Sequence, residues 1–409
     1  MAYPVFAAIG GSPGFCHIRA EAGYHHAVTD HVRKADRVPT VHFDGDRRDL
    51  RLDACRGLAL WFIFIDHIPD NAFAWLTLRN YGFSDATEVF VFVSGYTCMV
   101  AYGGTLREQG WLTILARSLR RSFEIYAAFL LLVIAYLALI WAFGGTTYFD
   151  ATNTRFFFEN PGPALIHFLL LQYTPVNTDI LPTFALLHLA FPLVLWLMIR
   201  SPALALGASF LLYLMVQIHG WRIPAWPTGE LYFNPLAWQM LFVFGAWCAD
   251  QRGLTLKALM RSRAVLLLAM IYLSFGLVVA LGWRIQPLQV LVPDSVGRLI
   301  YPIDKSHLAP LRLLHFLALA LLASRFIPAD WPGLIKPWTV ALIRCGENSL
   351  SIYCLSVLLS FIGFVILTES AGGVALQAAV SAIGIALLIL IATVLTWEAK
   401  RDRRGPKLF

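Results

Sequence analysis

Residues 52–71 read LDACRGLALWFIFIDHIPDN, and residues 83–98 read FSDATEVFVFVSGYTC. In both, charged side chains stand at the edge of an unbroken apolar run. Asp53, Arg56, Asp66 and His67 flank the first, and Asp85 and Glu88 open the second. Similar segments recur along the chain at roughly 54–78, 84–103, 122–143, 181–199, 203–218, 235–250, 264–283, 309–326, 340–367 and 374–397. Several approach the roughly 20 residues that cross the hydrocarbon core. The shorter ones, 203–218 and 235–250, rely on flanking aromatics and arginines to reach the interfaces. Residues 161–173 read as an interfacial helix. The expected fold is an all-α, polytopic integral membrane bundle of about ten transmembrane helices.

Composition supports the same class. Of 409 residues, 58% are hydrophobic and 14% charged, against roughly 25% charged in soluble proteins. A soluble surface must stay wet, and this chain cannot cover one. The net charge of +7 does not point to nucleic acid, because the basic residues cluster between apolar segments. Examples are Arg117, Arg120 and Arg121, then Arg261 and Arg263, then Lys400, Arg401, Arg403 and Arg404. With the N-terminus inside, about 25 of the 32 Lys and Arg fall on cytoplasmic segments. Both termini are therefore expected in the cytoplasm. A polar, partly flexible tail covers 1–50, the transmembrane domain 51–398, and a basic tail 399–409. The opening MAYPVFAAIG is too short and too broken for a signal peptide. The six cysteines have no metal or disulfide spacing, so no metal is expected. The loop GWRIPAWPTGELYFNP at 220–235 suits an interface belt and equally suits sugar stacking.

Charges inside a bilayer are costly and mark candidate sites. Arg56 and His67 are eleven helical steps apart, within about 20° of one face, with about 16 Å of rise between them. A long donor could lie along that face, its anionic head at Arg56 and its reactive end at His67. Asp66 points about 100° away from His67, so it cannot orient that ring. Asp85 and Glu88 share a face, and either could hold the imidazole. Arg117 and Arg120, three apart, could face one phosphate, with Arg121 beside them. In DKSHLAPLRLLHFLAL, Arg312 and His315 share a face just after Lys305 and His307. A buried guanidinium needs an anion, either an acid of another helix or a substrate carboxylate. Asn348 opens the ninth segment, as a cap or an oxyanion donor.

Six stretches in one order carry a resemblance. They are DACRGLALWFIFIDH (53–67), SDATEVFVFVSGY (84–96), RSLRRSFEIY (117–126), NPLAWQMLFVFGAW (234–247), DKSHLAPLRLLHFLALA (304–320) and CGENSLSIYCLS (345–356). Together they resemble the OpgC family, which succinylates osmoregulated periplasmic glucans and is similar to the wider acyltransferase-3 superfamily. The resemblance spans roughly 46–400. It implies Arg56 and His67 as signature residues, Arg117 and Arg120 as ligands of the donor phosphates, and Asp85 and Glu88 as active-site acids. It also implies succinyl-CoA as donor substrate, with no permanently bound cofactor, and a periplasmic glucan as acceptor in the bacterial inner membrane. Lipid is the surrounding partner, and the oligomeric state stays open, a homo-oligomer included. Acetyl transfer to another surface polysaccharide is the alternative, distinguished by whether Lys305 and Arg312 receive a charged acyl group. A sugar or organic-anion transporter is the third reading, although no internal repeat supports it.

Overall fold

The computed structural model describes residues 49–143, 145–250, 260–370 and 372–404. The expected N-terminal tail, but for its last two residues, and the end of the basic tail lie outside the described residues. Helix α1 (Leu50–Asp66) starts where Asp49 accepts the Arg51 N–H at 3.0 Å. It ends at His67, two residues before a proline that cannot continue it. The span expected to run to 78 is thus shorter, and 3-10 turns over Ala72–Leu76 and Leu78–Asn80 follow instead.

Helices α2 (Ala86–Leu106) and α3 (Gln109–Phe143) join at Gly110, whose φ of 78° suits glycine. Cys98 of α2 and Ser118 of α3 both bond to His188 of the α5 helix described below, and Ser122 donates one turn further back, to Ala185 O. The two helices are therefore arms of an antiparallel hairpin. The polar stretch expected as a loop over 104–121 is largely helical, because its Leu, Ala, Arg and Gln residues are good helix formers.

A short apolar helix, α4 (Pro161–Leu169), falls where an interfacial helix is expected. Then come α5 (Ile180–Arg200), α6 (Pro202–His219), α7 (Pro235–Ala249), α8 (Arg263–Arg284) and α9 (Pro310–Phe326). The single segment expected over 340–367 is two helices, α10 (Pro337–Glu347) and α11 (Ser349–Glu369), interrupted at Asn348. The last, α12, covers Val374–Arg404.

Among the described residues there is no strand beyond one isolated bridge, Pro224 to Glu230. Seven helices (α2, α3, α5, α6, α8, α11 and α12) are long and apolar enough to cross a membrane. Helices α1 and α9, at 17 residues each, stand at the short limit of a span, and α7 is shorter still at 15. The chain is a multi-pass membrane protein.

Lipid offers little hydrophobic drive for helices to associate, so close packing must supply it. Two pairs of glycines do this reciprocally. Gly57 faces the Leu342 carbonyl while Gly346 faces that of Asp53, locking α1 on α10. Gly95 faces the Phe242 carbonyl while Gly245 faces that of Phe92, locking α2 on α7. A Cβ at any of the four would collide with backbone. Helices α2 and α5 are largely enclosed, whereas α6, α8 and α12 turn most of their surface outward.

Candidate active site

The charged groups gather at the end of the bundle where α1 stops and α2 starts. Asp85 and Glu88 form a reciprocal cap. The Asp85 N–H donates to Glu88 Oε2 at 2.9 Å, and the Thr87 N–H donates to Asp85 Oδ1 at 2.8 Å. Their remaining oxygens face α9. Arg312 Nε donates to Glu88 Oε1 at 2.7 Å, and its Nη2 donates to Asp85 Oδ2 at 3.0 Å. Lys305 Nζ donates to the same Asp85 oxygen at 2.7 Å. Lys305 sits on a firmly held loop. Trp238 Nε1 donates to its carbonyl at 3.1 Å, Gln217 to that of His307 at 2.6 Å, and Tyr213 to that of Leu308 at 2.9 Å. Two carboxylates and two cations thus neutralise one another. Arg312 receives its anions from α2, so it does not wait for one from a substrate.

His67 lies against this cluster, with Lys305, Asp85 and Arg79 as its electrostatic neighbours. Among the described residues, its buried Nδ1 has no hydrogen-bond partner. The expected carboxylate–imidazole bond is not formed, because Asp85 and Glu88 are engaged with Arg312 and Lys305. Asp66 is also engaged, accepting from Thr77 Oγ1 at 2.8 Å with Arg79 Nη1 at 3.9 Å. His315, one turn from Arg312, bonds through Nδ1 to Ser84 Oγ at 2.7 Å. Its ring fills the space left by Gly82 and Gly276, where any Cβ would press into it. Just before α5, burial pushes the Asp179 carboxyl up to about 6, against the hydrogen bond it accepts from Thr174.

A second polar level lies about 16 Å along α1. Arg56 Nη2 donates to Thr97 Oγ1 at 2.9 Å. Beside Thr97, Cys98 Sγ lies 3.4 Å from His188 Nε2. His188 Nδ1 must donate to the Phe184 carbonyl at 2.9 Å, which leaves Nε2 to accept the thiol proton. Cys98 and His188 both feel the charges of Arg56 and Arg121. Arg117 clamps the hairpin turn, donating to Thr105 at 2.6 Å and Gln109 at 3.0 Å. Arg120, with a side chain 82% exposed, bonds Glu124 at 3.0 Å. Arg117 and Arg120 therefore hold different partners, whereas Arg121 bonds the same Glu124 as Arg120, at 3.1 Å. Asn348 is not brought to His67. Its amide donates to Arg344 O, Ala392 O and Thr396 Oγ1. Thr396 stands about 22 Å along α12 from Ser381, which bonds Asn71 near His67.

The family whose model matches this arrangement of residues is described as OpgC protein, and the match covers residues 48–400. The chain belongs to the OpgC family. Membership carries the class of activity that the resemblance implies, acyl transfer. No curated protein and no solved structure matches the chain.

In this OpgC-family protein, several polar groups escape a reading of the sequence alone. Ser84, Thr77 and Thr97 hold His315, Asp66 and Arg56, and look like ordinary helix-edge residues in the sequence. Asp179 lies in a loop that gives no periodic signal. The reciprocal cap is the exception, since S-D-A-T-E ahead of an apolar run carries an acid at the cap and another three residues on.

Proposed function

We propose that this protein is an O-acyltransferase of the bacterial inner membrane that moves a succinyl group from cytoplasmic succinyl-CoA to a hydroxyl of a periplasmic glucan. The observation that carries this reading is His67, an imidazole with its Nδ1 buried and unpartnered among the described residues. It stands about 16 Å from Arg56 on one face of α1. An imidazole whose nitrogens are not spent on the protein can take a substrate's proton. His67 removes the proton of the acceptor hydroxyl as that oxygen attacks the thioester carbonyl. The tetrahedral intermediate then expels the coenzyme A thiolate, which takes the proton from His67. Lys305, an electrostatic neighbour of His67, keeps two N–H donors beyond its bond to Asp85 and can turn one to the developing oxyanion. At the other level, Arg56 and Arg121 attract the donor's phosphates, with Arg117 and Arg120 at the entrance.

One observation favours a second reading, an acetyl donor. Arg312 and Lys305 are already neutralised by Asp85 and Glu88, so neither is free for a succinyl carboxylate. Competition between succinyl-CoA and acetyl-CoA, with the glucan product weighed by mass spectrometry, decides the donor. In the same assay, purified protein in lipid nanodiscs should release free thiol and acylate the glucan. His67→Ala and His67→Gln should both lose turnover while still binding donor, because a proton acceptor matters mainly in the transition state. Substantial turnover in either variant would leave His67 a packing residue.

A further inference from the structure

Where α1 gives out, a cleft of about 550 Å³ opens beside His67. Asp66 and Ile68, the residues on either side of His67 in the chain, line it while His67 itself stands behind them, and Trp75, Arg79, Asn80 and Arg284 form much of the rest. The loop that carries Trp75 is pinned on every side. Asn71 donates to Ser381 of α12 at 3.0 Å, and the Ala72 N–H donates to Gln377 at 2.8 Å. The Thr77 N–H and Asn80 Nδ2 both donate to the Ala74 carbonyl, at 3.0 and 2.6 Å. Tyr81 Oη donates to the Trp75 carbonyl at 2.5 Å, and Arg284 Nε donates to Asn80 Oδ1 at 2.8 Å. On this fixed support Trp75 is left 40% exposed. An indole in the open on so rigid a loop is held there by the fold.

The charges of the cleft decide what it suits. Asp66 and Asp70 balance Arg79 and Arg284, so a phosphate or free carboxylate gains no net attraction. Carboxylates, amides and guanidinium groups together offer both donors and acceptors, and the indole offers an apolar face. The matching chemistry is an uncharged ring rich in hydroxyls. We propose that this cleft is the acceptor subsite and binds a sugar ring stacked on Trp75, with one hydroxyl turned toward His67. The proposal rests on the acyl-transfer reading above. It differs from a role for Trp75 as a lipid-interface anchor, which would need no cleft.

The test uses the full chain in lipid nanodiscs with a short linear glucose oligosaccharide as probe. Binding is measured by saturation-transfer NMR and titration calorimetry, first without any donor. The wild type should bind the sugar. Trp75→Ala should weaken binding about tenfold, and Trp75→Phe should restore most of it. Trp141→Ala removes another outward-facing indole, 70% exposed, and should bind as the wild type does. With donor present, the KM for the oligosaccharide should rise about as much in Trp75→Ala, and the KM for acyl-CoA far less. A wild type that does not retain the sugar overturns the proposal. Equal sugar affinity in Trp75→Ala overturns it as well and makes Trp75 an interface anchor. If sugar binding depends on Trp75 but no acyl group is ever transferred, the cleft stands and the acyltransferase reading falls. If transfer proceeds with a sugar KM indifferent to Trp75, the reverse holds.

Discussion

Arg312→Met would leave Glu88, fully buried, without the guanidinium that holds it. Removing one partner of a buried ion pair usually costs about 3–5 kcal/mol, because the other charge stays uncompensated. The variant should therefore unfold much earlier in a detergent thermal melt, whichever donor the enzyme prefers. Adding Glu88→Gln should recover part of the loss, because the orphaned charge goes with it. A single variant as stable as the wild type would mean that α9 is held by other contacts. The four groups of this cluster are each legible in the sequence, since any charge beside an apolar run is conspicuous. Their closure on one another is not. Glu88 and Arg312 lie 224 residues apart, and nothing local says which anion an arginine will meet. The free imidazole of His67 is illegible for a related reason. Its freedom depends on where Asp66, Asp85 and Glu88 spend their oxygens.

The elements follow the hydropathy pattern closely and depart from it where backbone hydrogen bonds decide. Each apolar segment contains a helix, but the first stops at Asp66 ahead of Pro69, and the ninth is interrupted at Asn348. That asparagine spends its amide on Arg344, Ala392 and Thr396, and hydropathy carries no trace of such a joint. The glycine contacts likewise give no signal, because a glycine within an apolar run looks the same whether or not a backbone crosses it. Gly95→Ala and Gly245→Ala should each push α2 from α7 and cost about 1–3 kcal/mol, the usual penalty of forcing atoms into a packed core. Gly104, in the same helix as Gly95, has nothing near its missing Cβ. Gly104→Ala should be neutral or slightly stabilising through helix propensity. Thermal melts of the three variants check this, and equal losses in all three would remove close approach as the cause.

For the molecule as a whole, the placement of basic residues gives an expected orientation. Arg117, Arg120, Arg121, Lys400 and Arg401 lie away from the end that holds His67, and on the positive-inside rule we propose that this end faces the periplasm. Reporter fusions should read cytoplasmic after Phe409 and periplasmic after Arg155, and a periplasmic signal at Phe409 would sink this orientation. If the orientation holds, the cleft beside His67 opens to the compartment that contains the glucan, and the level of Arg56 opens to the one that contains acyl-CoA.

The cap that starts α2 is also the clasp that holds α9, and this has a consequence for biosynthesis. Asp85 and Glu88 leave the ribosome 227 and 224 residues before Arg312 reaches them, an interval on the order of ten to fifty seconds at ordinary synthesis rates. Until then the early helices carry two acids into the bilayer with no cation to meet them, which is costly. The bundle can therefore latch only after the eighth apolar segment has been made, and the latch reports that the chain has come that far. A nascent chain cut before Pro310 should be cleared rapidly by membrane proteases, as pulse-chase labelling would show. Asp85→Asn with Glu88→Gln should prolong its life, and an unchanged half-life would mean that quality control reads some other signal.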